Sequence, residues 1–314
     1  MLIMIGQTKI SSTAQDTARH TCTACCTVGG AVNRQRVSPG KIMKKHLVSI
    51  FILILMTSVG PARAAQDRIF LDDMTSAEVR AALKDGKTTI IIPVGGTEQT
   101  GPHIALGKHN IRVKALSAKV AEALGNALVA PVVAYVPEGN IDPATGHMRF
   151  AGTLSVPESA FKAIVEGAAR SLRQHGFLNI VILGDHGGYQ PALKAVVASL
   201  NREWAKPGSN VARAHFISEY YTATQTTYVK ALQGRGLSDH QIGLHGGVAD
   251  TALSLAIDPA MVRPDLFAIA AQEGPAGGTV GDPRAATSVL GQLGVDAVVS
   301  ETVLAIRRAV SAPR

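Results

Sequence analysis

Two short runs constrain this chain more than any other feature. Thr88 to Val94 reads TTIIIPV and Asn179 to Leu183 reads NIVIL, and each passes directly into a glycine-rich polar turn. Both runs are apolar and β-branched at consecutive positions rather than alternate ones. A strand that is apolar on both faces must be covered on both faces, which is the situation inside a parallel sheet. The cover is available in the same sequence. Ile111 to Leu124, Pro157 to His175 and Gln190 to Trp204 read as amphipathic helices, and Ala285 to Val310 reads as mostly helical. Pro157 suits a first helical turn and Gly176 a helix end. Ala127 to Tyr135 and Val211 to Ile217 read as further strands. The fold expected is α/β: a three-layer α/β/α sandwich on a mostly parallel sheet, built as one domain over residues 65–314. In such sheets functional groups collect on the loops at the carboxyl ends of the strands.

Net charge needs care here, because the formal +8 is not spread evenly. Residues 1–64 carry eight Lys/Arg and one acid, Asp16; the other 250 residues carry 23 basic and 22 acidic side chains, a net of +1. The excess belongs to the leader, so nucleic acid is excluded as a partner. Met43-Lys44-Lys45, the apolar run Leu47 to Met56 and Pro61-Ala62-Arg63-Ala64 follow the three-part plan of a secretory signal peptide. The apolar run is shorter than the roughly 20 residues that span a bilayer. The expectation is a signal peptide over 43–64, cleavage near Ala64, a periplasmic or secreted product and no membrane partner after cleavage. Residues 1–42 are read as a mis-assigned extension. All three cysteines (Cys22, Cys25 and Cys26) lie there, so no disulfide is expected in the mature chain.

Three turns carry chemistry-bearing residues. Gly95 to Asn110 (GGTEQTGPHIALGKHN) follows the first buried run and places Glu98, His103 and His109 in one loop. Carboxylate and imidazole are ligands that zinc, manganese and iron accept. The alternative is a plain strand-to-helix loop with Asn110 capping the helix. No Gly-Lys-Ser/Thr is present, so a phosphate loop is excluded. Asn179 to Gln190 (NIVILGDHGGYQ) puts Asp185 and His186 on a sharp turn after the second run, and Gly243 to Leu253 (GLHGGVADTAL) contains His245 and Asp250.

Taken in order, these segments resemble the creatininase family. Glu98 and Gly101-Pro102-His103 fall on the family's Glu-Gln-His-Gly-Pro-His. Asp185-His186-Gly187-Gly188 falls on its Asn-Gly-His-Gly-Gly-Asn turn, and His245 with Asp250 on its His-Ala-Gly-x-x-Glu-Thr-Ser. His147 to Ser155 and Gly281-Asp282-Pro283-Arg284 resemble two further family segments. The resemblance implies a metal-dependent amidohydrolase acting on a small-molecule amide, cyclic or linear, and a homo-oligomer, a hexamer in the family. It makes Glu98 and His186 metal ligands and His245 the proton-transfer residue. Asp250 takes a catalytic position or caps a helix, and His103 is catalytic or packs the loop. Asp185 either ligates the metal or orients a ligand.

Two family ligands differ in this chain. Thr100 stands where the family has its first His, and His109 where it has a bridging Asp. A carboxylate can bridge two cations, whereas a neutral imidazole has one free lone pair. The expected cofactor is therefore a single divalent ion per chain, zinc first with manganese or iron as alternatives, held by Glu98, His109 and His186. Such an ion acidifies bound water toward a pKa of about 7, making hydroxide the expected nucleophile. The competing expectation is a non-catalytic periplasmic binding protein that retains the fold.

Overall fold

Four strands form one sheet in the order β2-β1-β3-β4, and every neighbouring pair runs parallel. The computed structural model describes residues 68–205 and 212–312. The signal peptide over 43–64 and the extension over 1–42 lie outside the described residues. The strands are β1 (Thr89–Val94), β2 (Ala127–Val129), β3 (Asn179–Gly184) and β4 (Arg213–Phe216). β1 and β3 pair over their whole length, from Thr89 opposite Asn179 to Val94 opposite Gly184. Their turns therefore leave the sheet side by side.

Ten α-helices surround the sheet among the described residues. The first four are α1 (Ser76–Lys84), α2 (Lys108–Leu124), α3 (Glu158–Gln174) and α4 (Gln190–Trp204). After β4 come α5 (Glu219–Gln225), α6 (Thr227–Gln233), α7 (Asp239–Ile242), α8 (Val248–Ile257), α9 (Phe267–Glu273) and α10 (Ser288–Ser311). Side chains of a strand alternate between faces, and the core divides accordingly. Ile90, Ile92, Ile180 and Ile182 pack with Phe161 and Val165 of α3 and Leu193 and Trp204 of α4. Ile91, Val181 and Leu183 pack on the other face with Val113 and Leu116 of α2, Tyr220 of α5 and Val298 of α10. This is the three-layer arrangement, and it explains why β1 and β3 are buried at every position. α10 is long and apolar enough to cross a membrane, yet half of that stretch is buried. It lies against α8, α5 and α2 as a core helix. Gly291 makes the α8 contact possible, because a Cβ there would fall on the Ala252 carbonyl oxygen.

Two of the boundaries that differ from expectation bear on the site. The second strand stops at Val129 instead of running to Tyr135. Pro131 has no N–H to give the ladder, and beyond it only a single bridge joins Val133 to Val94. α2 begins at Lys108 rather than Ile111. Lys108 and His109 thus leave the loop and sit in the first turn of a helix.

Candidate active site

The ends of β1 and β3 are tied together by one side chain. The buried Tyr189 hydroxyl donates to the Gly95 carbonyl at 2.6 Å and accepts from the backbone N–H groups of Asp185 (3.1 Å) and His186 (3.0 Å). A second tie joins the β1 turn to α2. Asn110 accepts from the Gly96 N–H at 2.9 Å, and a Cβ on Gly95 would strike the Asn110 side chain. These contacts bring the Glu98 loop, the His186 turn and the start of α2 to one point.

That point is the Glu98 carboxylate, which is completely buried. Four imidazoles face it. His109 Nε2 lies 2.6 Å from Oε1; His186 Nε2 and His147 Nε2 each lie 3.3 Å from Oε2; His245 Nδ1 lies 3.9 Å from Oε1. Two of the rings have carboxyl groups behind them. Asp185 Oδ2 is 2.5 Å from His109 Nδ1, and Glu138 Oε2 is 3.4 Å from His186 Nδ1. The Asp185 carboxylate favours the His109 tautomer with its proton on Nδ1 and leaves the Nε2 lone pair free, whereas His186 Nδ1 accepts the Gly188 N–H at 3.4 Å.

Two buried cations complete the charge pattern. Lys108 Nζ is 3.4 Å from Glu98 and 3.2 Å from Asp250. Arg112 spans two acids, with Nε and Nη2 on Asp185 at 3.0 and 2.8 Å and Nη1 on Asp250 at 2.7 Å. Lys108 and Arg112 are four residues apart on α2 and so share a helix face. Burial works against ionisation of Glu98, but Lys108 and His109 outweigh it and hold the carboxyl below the usual range. Burial likewise opposes ionisation of Asp185 and Asp250; Arg112 prevails at Asp185, and Lys108 with Arg112 at Asp250. Glu138 goes the other way: burial, then the neighbouring Glu98 charge, push it up to about 9. Burial lowers His186 to about 3 and His245 to about 4, and lowers His147 as well.

The groups line a cleft of about 480 Å³ whose wall includes Glu98, His109, His147, His186 and His245. Ligand atoms of Glu98, His109 and His186 lie within 4.8 Å of one another, so the structure brings this trio together. Glu98, His147 and His245 form a second trio of the same span.

Three of the expected site residues lie outside both trios. Asp185 belongs to neither trio. Its oxygens are taken by His109, Arg112 and, at 2.8 Å, the Tyr220 hydroxyl, an arrangement that orients the His109 ring. His103 is fully buried and outside the cleft lining; its Nε2 pairs with Thr251 Oγ1 at 3.0 Å and its ring packs edge-on against Phe267. In this position it packs the loop. Asp250 is not the cap of α8, because Gly247 takes that place. It lines the cleft, and its carboxylate anchors Lys108 and Arg112 and accepts the Gly246 N–H at 3.0 Å.

Sequence reasoning gave no role to Gln99, Lys108, Arg112, Glu138 or His147. The helical spacing of 108 and 112 on the face of His109 was a usable signal, and His147 lay in a segment already tied to the family. Glu138 had no signal, since only the fold carries it to His186.

Comparison with known proteins agrees with this geometry. The creatininase family model, creatinine amidohydrolase, matches residues 72–306. The creatinine amidohydrolase of Pseudomonas putida is 26% identical over 253 residues, covering 76% of this chain and 96% of that protein. A mycofactocin precursor peptide peptidase of Mycolicibacterium smegmatis is 35% identical over 124 residues, 38% of this chain and 47% of the relative. A manganese form of creatininase superposes with a TM-score of 0.65 at 25% identity, covering 78% of this chain and all of that structure. A zinc–zinc form of a creatininase variant gives 0.61 at 24% identity over 78% of this chain and 99% of that structure. The match runs from the first helix to the last turns of α10 and takes in all three motif turns; the chain belongs to the creatininase family of hydrolases.

Proposed function

We propose that this chain is an exported amidohydrolase that uses one divalent ion, held by Glu98, His109 and His186, to cleave the C–N bond of a small cyclic or linear amide. One observation carries the reading. Ligand atoms of Glu98, His109 and His186 lie within 4.8 Å of one another around a buried carboxylate, and Asp185 stands behind His109 Nδ1 at 2.5 Å. The residues fit a cation by two further tests. Glu98 Oε2 is a buried carboxylate oxygen with no hydrogen-bond partner. Three ionised carboxylates (Glu98, Asp185 and Asp250) also face only Lys108 and Arg112, leaving a net negative charge for a dication to meet.

Lys108 supports a count of one. Its ammonium, almost fully buried, stands 3.4 Å from Glu98 and repels a further cation on that side. Thr100 is buried and brings no imidazole or carboxylate. Two imidazoles with one carboxylate is a ligand set that suits zinc, with manganese or iron as alternatives. When bound, the ion supplies Lewis-acid polarisation of the amide carbonyl and acidification of water. The protein's own groups do the rest. Asp185 holds the His109 ring in register, and a cleft of about 480 Å³ suits a small molecule. His245, which lines the cleft 3.9 Å from Glu98, moves a proton in this reading. The leader over 43–64 supports work outside the cytoplasm, and family resemblance supports a homo-oligomer.

The experiment is metal analysis of the purified protein joined to an amide-hydrolysis screen with wild type and Glu98→Ala. The expected result is one equivalent of metal per chain and hydrolysis that disappears in the variant. Activity unchanged in Glu98→Ala would remove this site from the reaction. A protein that stays metal-free in excess zinc, manganese and ferrous iron would favour a binding role.

A further inference from the structure

We infer that the amide taken by this cleft carries a carboxylate at its far end, and that the Arg149 guanidinium on the cleft wall binds that carboxylate. The inference rests on the amide reading above and names a substrate class for it.

Six side chains of fixed charge line the cleft: Glu98, Lys108, Arg112, Arg149, Asp185 and Asp250. Five of them are paired with one another, Lys108 with Glu98 and Asp250, and Arg112 with Asp185 and Asp250. Arg149 is the exception. It is exposed, and it forms no ion pair among the described residues. Its hydrogen bond there runs from Nε to the Gly146 carbonyl at 3.3 Å, which leaves the two terminal nitrogens of the guanidinium without a protein acceptor. A guanidinium meets a carboxylate with two parallel hydrogen bonds, so a planar anion is the partner it lacks. The sum of charges agrees. Three acids against Lys108 and Arg112 leave one net negative charge, which a bound dication turns to one net positive; Arg149 adds another, and no further acid lines the cleft.

The turn that presents Arg149 is fixed by its own hydrogen bonds. The Thr145 N–H donates to the Asn140 carbonyl at 3.1 Å, and Thr145 Oγ1 accepts the Asn140 N–H at 2.8 Å. Gly146 then takes a φ of +56°, in the left-handed region that glycine tolerates. Arg149 closes the single 3-10 turn Gly146–Arg149, which also carries His147, and His147 Nε2 stands 3.3 Å from Glu98. The unpaired cation and the buried carboxylate therefore border one cleft. Two apolar side chains share that wall while still open to water, Leu244 at 83% exposed and Val280 at 42%, joined by the Leu244 N–H on the Val280 carbonyl at 2.8 Å. Apolar surface of this kind in a cleft suits the hydrocarbon part of a ligand. The walls together describe an amide, a short apolar chain and a carboxylate. Arg149 is a specificity residue: it holds the carboxylate and takes no part in breaking the C–N bond.

Three linear amides of matched length test this: glutaramate, valeramide and 5-aminovaleramide end in a carboxylate, a methyl and an ammonium group. Binding of each to the zinc-loaded full chain is measured by calorimetry, and hydrolysis by ammonia release; glutaramate and water would give glutarate and ammonium. Wild type should bind glutaramate about tenfold more tightly than valeramide, the scale of one charge-assisted pair, and 5-aminovaleramide least. In Arg149→Gln the preference for glutaramate over valeramide should fall to within about twofold. In Arg149→Glu the order should reverse, with 5-aminovaleramide ahead of glutaramate. Arg149→Lys keeps the charge without the fork and should retain part of the preference, which covers the case in which the other variants fail to fold. A wild type that binds none of the three, or that does not distinguish glutaramate from valeramide, would overturn the inference. So would a preference that survives in Arg149→Gln, because the carboxylate would then sit on the metal. Binding that follows charge as expected with no ammonia released from any amide would overturn the proposed function and leave the Arg149 assignment standing. Hydrolysis of glutaramate and valeramide at equal rates with equal affinity would do the reverse.

Discussion

Arg112 is where the electrostatics of this site can be weighed most directly. Its guanidinium is almost completely buried and makes three charge-assisted hydrogen bonds at 2.7 to 3.0 Å, two to Asp185 and one to Asp250. Arg112→Met keeps most of the volume and removes the charge. Glu98, Asp185 and Asp250 would then face Lys108 alone, and Lys108 reaches only Glu98 and Asp250. Asp185 would keep hydrogen bonds from His109 and Tyr220 but no cation. Breaking a buried ion pair by removing one partner costs about 3–5 kcal/mol, a large part of the roughly 5–15 kcal/mol that holds a domain together. Urea unfolding of the metal-free protein at pH 7 should show a loss of that size with an unchanged m-value. The deficit also has a required pH dependence. Arg112 helps hold both aspartates below the usual carboxylate range. Their stabilisation is fully present above the unfolded value of about 3.9 and is lost as pH falls through the lower folded values. Wild type and variant should therefore converge as pH drops below about 4. Arg112→Lys should fall between them, because an ammonium supplies charge without the planar fork. A deficit under about 1 kcal/mol at pH 7, as for an exposed pair, or one that does not narrow in acid, would refute the reasoning.

Glu138 gives a prediction of opposite sign. Its carboxyl, pushed up to about 9, stays protonated in the folded protein while the unfolded chain ionises near 4.5. Stability of the metal-free protein should fall between pH 7 and 9 by about 1.4 kcal/mol per pH unit for one proton. Glu138→Gln should flatten that slope, as urea titrations across the range would show. Gly291→Ala should destabilise by at least the roughly 1–3 kcal/mol of an overpacked core, since the new methyl falls on the Ala252 carbonyl oxygen and must push α10 from α8. Thermal unfolding reads this directly, and a Tm equal to wild type would show that the two helices do not meet as described.

Sequence alone determined the layers and the order of the site's parts. Runs such as TTIIIPV and NIVIL are stable only when buried on both faces, so they imply a parallel sheet under two helical layers, and Glu98 and His186 follow at the ends of those runs. What each polar residue does was a different matter. Glu138 reaches His186 across 48 positions, Asp185 reaches Arg112 across 73, and Gln99 meets His245 across 146. A periodic pattern records which face a side chain takes, because burial repeats along its own helix or strand. It does not record which distant group shares that face. His103 and His109 stand in the same stretch of sequence, yet one packs beneath Phe267 and the other lies between two carboxylates. Only the packing of α2 and α8 against the sheet decides between them, since hydrogen bonds and ion pairs act over a few ångströms of space, whatever the length of chain between the partners.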